Sequence, residues 1–254
     1  MKILRDTWLV YQRQLLIVIR TPSWLVIGLV QPFVYLLLFA PLLKVALTPM
    51  GATSYHDAYR IYVPGLLAAL AIFGGLAAGF PLLGELRMGV IERFRVTPVS
   101  RLALLLGRAL RETTTLLAQA VVTVIIALIF GLTVNPGYLL LAFILFTLMS
   151  LMSAAIAYAM TMAVRNDGAL GPLVNTVSQP VALLSGVLLP IVLAPLWLRD
   201  TALWNPFYWA VAGMRALFQG NASDNTIWIG LIIMVVLTTA AVTWSARLFS
   251  SRVS

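Results

Sequence analysis

Apolar runs long enough to cross a bilayer recur along the whole chain, and they constrain its fold more than any other feature. A helix rises about 1.5 Å per residue, so about twenty apolar residues cover the ~30 Å hydrocarbon core. The runs lack the alternating pattern of a transmembrane barrel. Because lipid cannot hydrogen-bond to an exposed backbone, the remaining solution is a helix, whose backbone bonds are internal. The sequence therefore predicts an all-α integral membrane protein.

The composition agrees with a lipid environment. Of the 254 residues, 61% are hydrophobic and 10% are charged, whereas a soluble domain has roughly 45–50% and 25%. The net charge of +9 comes from residues that flank the apolar runs and form no soluble basic face, so we expect no nucleic acid partner. The absence of cysteine excludes disulfides, thiol catalysis and cysteine-ligated metals.

Residues 1–22 predict an amphipathic helix that lies at the membrane surface. On a helical wheel, the apolar side chains share one sector and the charged side chains cluster opposite. The apolar sector holds Leu4, Trp8, Tyr11, Leu15, Val18 and Ile19, and the opposite face holds Lys2, Asp6, Arg13 and Arg20. A basic face opposite Trp and Leu is typical of interfacial helices. Because charges interrupt this stretch, we do not expect it to be a secretory signal.

Six predicted spans follow, and residues 1–254 are expected to form one transmembrane domain. The spans cover about residues 24–43, 61–83, 113–130, 138–164, 169–193 and 226–249. Residues 195–225 contain an apolar stretch that would be ~18 Å long as a helix, too short to cross, which predicts re-entrant half-helices before the last span. Asn205-Pro206 provides a helix start there. In the second span, Gly75 and Gly79 have a spacing that serves either packing within the chain or dimerisation.

The distribution of Lys and Arg predicts the orientation. Six spans place both termini, residues 84–112 and the turn at 165–168 on one side, and that side holds 13 of the 17 basic residues. Cytoplasmic segments of membrane proteins carry the excess of Lys and Arg. Both termini are therefore expected in the cytoplasm.

Few residues suggest chemistry within the chain. His56, the only histidine, lies beside Asp57 in a loop, which is typical of a solvated residue and not of a metal or triad site. No Walker-type or Gly-x-Gly-x-x-Gly motif occurs, so nucleotide binding by those means is not predicted. The polar groups within the spans are amides and hydroxyls, and their simplest role is hydrogen bonding between helices. Ion-coupled transporters usually keep an ionisable group at mid-membrane, so we expect the energy source to lie elsewhere.

The only long charged stretch, residues 84–112, mixes both signs of charge with apolar residues at helical spacing. Thr97-Pro98 predicts the end of a helix, and Ser100 predicts the cap of a new helix that leads into the third span. A lipid-binding loop would be almost entirely basic, whereas Glu residues and an exposed Phe94 favour docking onto a protein. On physical grounds alone, a merely solvated positive loop is the open alternative.

These residues also resemble a known family. Residues 84–101 read Gly-Glu-Leu-Arg-Met-Gly-Val-Ile-Glu-Arg-Phe-Arg-Val-Thr-Pro-Val-Ser-Arg, which is similar to the cytoplasmic signature of bacterial type-2 ABC exporter permeases of the daunorubicin-resistance and nodulation-export type. Gln31-Pro32 in the first span and the stretch 184–190, followed by Asn205-Pro206 and Arg215-Ala216-Leu217, match the family in the same order. The resemblance covers essentially the full length. The outer loop at 195–225 departs from it by being short, with no added domain.

The resemblance implies a permease subunit of an ATP-driven exporter in the bacterial plasma membrane. The family's coupling helix docks on a separate ATP-binding subunit, and the residues implied here are Glu85, Arg87, Gly89, Glu92, Arg93, Phe94, Thr97 and Pro98. Two such subunits would hold ATP and Mg²⁺, so this chain is expected to bind no cofactor itself. A second permease, identical or paralogous, would complete the transporter. The implied substrates are amphipathic drugs, lipids or glycoconjugates, with Gln31, Asn175 and Gln179 along the path.

Two other classes of protein compete with this reading. An ion-coupled secondary transporter or channel acting alone would work without ATP and would be insensitive to vanadate. A membrane-embedded enzyme would need a cluster of His, Asp and Glu near one interface, and the sequence offers none.

Overall fold

A computed structural model describes residues 2–20, 28–30, 32–38, 54–89, 100–164, 166–188 and 190–252. These residues are helical or lie in turns, and none of them forms a strand, which confirms the all-α class. The elements are α1 (Lys2–Arg20), α2 (Tyr55–Ala69), a π-helical turn (Leu70–Gly74), α3 (Gly75–Ala77), α4 (Gly79–Arg87), α5 (Arg101–Ile129), α6 (Pro136–Val164), α7 (Asp167–Leu184), a 3-10 turn (Ile191–Leu193), α8 (Leu196–Ala202), α9 (Pro206–Phe218) and α10 (Asn225–Arg252). Residues 28–30 and 32–38 are also helical.

Four helical stretches are long and apolar enough to cross a membrane: Tyr55–Arg87, Leu102–Ile129, Pro136–Val164 and Asn225–Phe249. They correspond to the second, third, fourth and sixth predicted spans. Half of the first predicted span, including Gln31, lies outside the described residues. The helix of the fifth predicted span, α7, is not among the four. The count of six spans therefore stays a prediction.

The helix α7 ends earlier than the sequence predicted, at Leu184 and not near residue 193. Gly186 has a φ of 71°, a left-handed conformation that favours glycine. Its N–H donates to Leu183 O at 3.0 Å and the next N–H donates to Ala182 O at 3.4 Å. This pair of bonds is the Schellman arrangement, which turns the chain out of the helix.

The helix α5 begins earlier than the predicted third span. Residues 101–112 and the third span form one continuous helix that starts at Arg101, directly after the predicted cap. The predicted cap is confirmed, since Ser100 Oγ accepts a hydrogen bond from Ala103 N at 3.1 Å. The charges are compatible with this helix because α1 packs along it. A Cβ at Gly107 would lie 2.7 Å from Val10 Cγ1, so glycine permits that close approach.

The helix α1 presents an unexpected face to the protein. Asp6, Thr7, Val10 and Gln14 are buried, whereas Trp8 of the predicted apolar sector is 56% exposed. The apolar sector is thus free to meet lipid, as an interfacial helix requires. Gln14 contacts Glu85 of α4, and Asp6 is only 6% exposed.

The helix α6 lies at the centre of the bundle and packs against α10, α9, α5 and the Tyr55–Arg87 span. Gly75 and Gly79 contact α6: a Cβ at Gly75 would lie 2.5 Å from Ser153 Cβ, and one at Gly79 would lie 2.6 Å from Thr161 Oγ1. The Thr161 hydroxyl also donates to Gly79 O at 3.1 Å. Of the two roles that the sequence left open for this glycine pair, the structure uses packing within the chain.

This contact yields a prediction with opposite signs at two glycines of α4. Gly79→Ala should destabilise the protein by about 1–3 kcal/mol, because the new methyl overpacks the contact with α6. Gly84→Ala should instead stabilise it by roughly 0.5–1 kcal/mol, since alanine favours the helix and its Cβ would meet nothing within 4 Å. Thermal unfolding of both variants in detergent measures the two effects. Equal behaviour of the two variants would contradict the close contact.

Candidate functional site

The chain between α4 and α5 contains the charged signature found in the sequence. It leaves α4 through Gly89, whose φ is 66°, and it returns at Ser100. The N–H of Gly89 donates to Leu86 O at 3.3 Å. The predicted site residue Gly89 thus supplies the left-handed turn that ends the helix. Glu92, Arg93, Phe94, Thr97 and Pro98 lie outside the described residues.

Glu85 joins the two helices that flank this segment and also joins them to α1. The Arg108 guanidinium donates through Nη2 to Glu85 Oε2 and forms an ion pair with it. Gln14 Nε2 donates to the other carboxylate oxygen at 3.2 Å. Arg108 is only 4% exposed and Gln14 is 6% exposed. One carboxylate therefore bridges α4, α5 and α1 where little water reaches.

A second ion pair lies on α5, where Arg111 Nη1 is 2.8 Å from Glu112 Oε2. Tyr158 of α6 is buried among the apolar side chains that pack beside these pairs. We call Glu85, Arg108, Arg111, Glu112, Gln14 and Tyr158 the charge cluster. Its two arginines and two glutamates balance in formal charge, as buried charges require.

The charge cluster is held in place by apolar packing. Beside it lies a set of buried side chains from α4, α5, α6 and α10 that includes Leu82, Leu105, Ala109, Met162 and Phe249. Arg108 Nε and Nη1 are buried without a hydrogen-bond partner among the described residues. The guanidinium therefore depends strongly on Glu85. The ends of α4 and α5 cannot separate without leaving a buried charge unpaired, which is unfavourable.

This arrangement is suited to mechanical linkage. Because residues 88–100 connect α4 to α5 in the chain, a displacement of that segment would be transmitted to the ends of both helices, which the charge cluster connects to α1. The site holds no group of three metal-ligating side chains within the described residues. Its chemistry is that of a fixed ionic contact between helices.

The structure separates the predicted docking residues by role. Glu85 points into the charge cluster, Gly89 forms the turn, and Arg87 is exposed in the last turn of α4. Sequence reasoning did not single out Arg108 or Gln14. One available signal for this ion pair was that Glu85 follows one apolar run and Arg108 precedes the next.

The predicted path residues Asn175 and Gln179 lie elsewhere, on α7. They are four residues apart and therefore share one helix face. Both are exposed, as is Thr176 beside them. The structure brings these two amides together on a polar stripe, but not near the charge cluster.

At the end of the bundle opposite α1, His56 lies in the first turn of α2 and not in the loop that the sequence predicted. Its Nδ1 donates to Gly131 O, and its Nε2 lies 2.5 Å from Thr133 Oγ1. Arg60 donates to Thr133 O at 3.1 Å and to Thr133 Oγ1 at 2.7 Å. His56 and Arg60 thus attach the start of α2 to the turn between α5 and α6.

Comparisons with known proteins agree with one another. The model of the ABC-2 type transporter family matches residues 5–219, which include the charge cluster and α9. A protein of Porphyra purpurea named as a transport permease, ycf38, is 27% identical over 232 residues, or 89% of this chain and 77% of that protein. The daunorubicin resistance ABC transporter permease protein DrrB1 of Streptomyces coeruleorubidus is 25% identical over 221 residues, 84% of this chain and 74% of that protein. A similarly named ycf38 of Cyanophora paradoxa is 23% identical over 80% of this chain and 70% of that protein.

Proposed function

This chain belongs to the ABC-2 type transporter family, and from that premise we propose that it is the membrane subunit of an exporter of amphipathic substrates. It is a multi-pass membrane protein and a transport permease subunit, not an enzyme. Membership of the family implies partnership with an ATP-binding subunit. The proposal adds the direction of transport, the substrate class and the way in which the partner is attached.

One observation carries the proposal, namely the bridge from Glu85 to Arg108 and Gln14. In the sequence, Glu85 and Arg108 flank residues 88–100, which hold most of the charged signature. A partner that pushes or pulls this segment on binding ATP would move α4, α5 and α1 as one unit. Because α4 continues into the Tyr55–Arg87 span and α5 is itself a span, the movement would reach the membrane.

We assign docking of the ATP-binding subunit to Arg87, Gly89, Glu92, Arg93, Phe94, Thr97 and Pro98, with Glu85 supporting them from behind. Arg87 and Met88 are exposed at the end of α4, which suits a contact surface. The Glu85 carboxylate is engaged by Arg108 and Gln14. Glu85 would therefore position the docking segment without touching the partner. Two ATP-binding subunits, which hold ATP and Mg²⁺, would serve two permeases.

We assign the substrate path to the face of α7 that carries Asn175 and Gln179, together with Gln31. Exposed amides are costly against lipid tails, where nothing satisfies their hydrogen bonds. A second permease covering this face would remove that cost and would leave a polar seam for an amphipathic molecule. That second permease is either another copy of this chain or a paralogue. A drug, a lipid and a glycoconjugate all fit this description.

The proposed topology has six spans, cytoplasmic termini and a re-entrant segment formed by α8 and α9. Gly213 of α9 approaches Ile227 of α10, and Gly230 of α10 approaches Trp209 of α9, so the two helices run antiparallel. This pairing supports a short helix that enters and leaves on the same side. The membrane is proposed to be the bacterial plasma membrane.

An ion-coupled transporter acting alone is less consistent with the charge distribution. The acidic residues of the four membrane-length helices are Asp57, Glu85 and Glu112. Asp57 caps α2, Glu85 is paired with Arg108, and Glu112 is paired with Arg111. None of them offers a free carboxylate at mid-membrane, which ion coupling usually needs.

Co-expression with an ATP-binding subunit tests the proposal. The tagged chain should co-purify with that subunit, and vesicles containing both should export a fluorescent amphipathic dye in a vanadate-sensitive manner. Vesicles with the chain alone are the control and should not transport the dye. Vanadate-insensitive transport by the chain alone, driven by an ion gradient, would reject the exporter in favour of the secondary transporter.

A further inference from the structure

Three separate motifs of the sequence meet at the end of α7, namely the stretch 184–190, Asn205-Pro206 and Arg215-Ala216-Leu217. Asn205 Nδ2 donates to Val181 O at 2.8 Å and to Ser185 Oγ at 2.9 Å. Arg215 of α9 donates through Nη2 to Gly186 O and through Nε to Ile61 O at 3.2 Å. Asn205, 20 residues from Ser185, and Arg215, 29 residues from Gly186, thus converge on one helix end.

The backbone of α2 joins the same contact. A Cβ at Gly65 would collide with Val187 O and would lie 3.2 Å from Arg215 Nη2. Val187 is 4% exposed, so the turn after α7 is sealed against α2. The contact therefore connects α2, α7 and α9 at the end of the bundle opposite the charge cluster.

The guanidinium of Arg215 is met by backbone carbonyl oxygens. Its hydrogen bonds among the described residues go to Gly186 O and Ile61 O. The carboxyl end of a helix carries partial negative charge, which favours a cation there. The end of α7 can thus attract Arg215 without the strong, fixed pairing that a buried carboxylate would impose.

Val181 O, which accepts from Asn205 Nδ2, has other hydrogen-bond donors. Val181 O also accepts from Ser185 N at 3.0 Å and from Ser185 Oγ at 2.5 Å. Loss of the Asn205 bond therefore leaves no orphaned carbonyl, which is the usual penalty for breaking a buried hydrogen bond. Opening of the Asn205 bond therefore leaves Val181 O satisfied by Ser185, whereas separation of the Glu85–Arg108 pair leaves a buried charge unpaired.

We propose that Asn205 and Arg215 are positioning residues that form a releasable clamp, which holds α7 against α2 and α9 and closes this end of the transport path. The role in transport rests on the proposed function. The clamp itself does not, because it is a contact within one chain. The bundle would be fixed at the charge cluster and would open at the clamp.

A thiol reporter can detect opening of the clamp. The chain has no cysteine, so Val187→Cys introduces a single thiol beneath the clamp. In nanodiscs, where both sides are accessible, a water-soluble maleimide should label this thiol slowly. Arg215→Gln should speed labelling by about tenfold or more, the factor expected when a hydrogen bond from a charged donor is lost. Arg215→Lys should give an intermediate rate, because lysine keeps the charge but not the planar fork.

Two controls separate the clamp from general loosening. Arg199→Gln removes the same charge from a residue that bonds Ala194 O and Val192 O within its own segment, and it should leave labelling unchanged. A second reporter, Leu132→Cys, is 2% exposed in the turn between α5 and α6 and should not respond to Arg215→Gln. Equal responses of both reporters, or of both arginine variants, would overturn the clamp.

The outcomes also separate the clamp from the proposed function. Faster labelling of the Arg215→Gln reporter in a chain that binds no ATP-binding subunit would keep the clamp and reject the exporter. Unchanged labelling in a chain that exports dye with its partner would keep the exporter and reject the clamp.

Discussion

Replacing Arg108 by methionine is expected to lower the free energy of unfolding by about 3 kcal/mol, because Glu85 would be left with an unpaired buried charge. This estimate is at the low end of the usual range for a broken buried pair. The Glu85 side chain is 20% exposed and keeps its bond from Gln14, which together soften the loss. Thermal unfolding of the detergent-solubilised protein should show a fall of several degrees.

The double variant Arg108→Met with Glu85→Leu tests whether the unpaired charge of Glu85 causes the loss of stability. Replacing both members of a buried pair by apolar residues is often nearly neutral, so the double variant should recover most of the lost stability. Arg87→Met is the matched control, since it removes the same charge from an exposed side chain near the end of α4. It should change the free energy of unfolding by no more than about 0.5 kcal/mol. A double variant as unstable as Arg108→Met would contradict the ionic bridge.

The fold could be predicted from the sequence wherever burial in lipid alone determines the extent of a helix. Long apolar runs located the helices Pro136–Val164 and Asn225–Arg252 nearly to their ends, because burial in lipid acts on each run separately. The caps were readable for a similar reason. Ser100 and Asn205 bond to backbone groups within three residues, so their effect is local.

The charge cluster could not be derived in this way. Arg108 and Glu112 are charged and therefore resemble loop residues when the partner is unknown. The partner of Arg108 is Glu85, 23 residues earlier, and a third element supplies Gln14 from 71 residues away. For the same reason, the helical wheel of α1 placed Asp6 on the charged face with Arg13 and Arg20 and did not indicate that Asp6 is buried. Tertiary pairing made these polar residues part of a continuous packed helix pair.

The same limit applies to Asn205 and Arg215. The sequence identified Asn205 as a helix start, and its side-chain Oδ1 accepts a hydrogen bond from Phe207 N at 3.1 Å as expected. Its amide nitrogen acts over a longer range, on Val181. A sequence pattern therefore indicates the local cap that Asn205 forms but not its contact with a distant residue.

Replacing Phe94 by aspartate should abolish co-purification with the ATP-binding subunit and leave the stability of this chain unchanged. The assignment of Phe94 comes from the family signature. A buried aromatic anchor at a protein interface typically contributes at least about 2 kcal/mol, or roughly thirtyfold in affinity, and a carboxylate in its place would add a desolvation cost. Glu92→Lys, which reverses one charge of the same segment, should weaken co-purification in the same direction. The yield of bound partner, quantified against the tagged chain, is the measurement.

Ser223→Asp is the control for this change, because it adds the same carboxylate in an exposed turn before α10, at the end of the bundle opposite the charge cluster. It should keep full co-purification. Comparison with Arg108→Met then distinguishes the docking residues from the charge cluster. Phe94→Asp should lose the partner while the chain keeps its normal stability, which is expected of a residue that contacts the partner. Arg108→Met should lower the stability of the chain first, which is expected of a residue that connects the helices. Normal co-purification of Phe94→Asp would reject the docking assignment and would favour the alternative that residues 88–100 are merely a solvated positive loop.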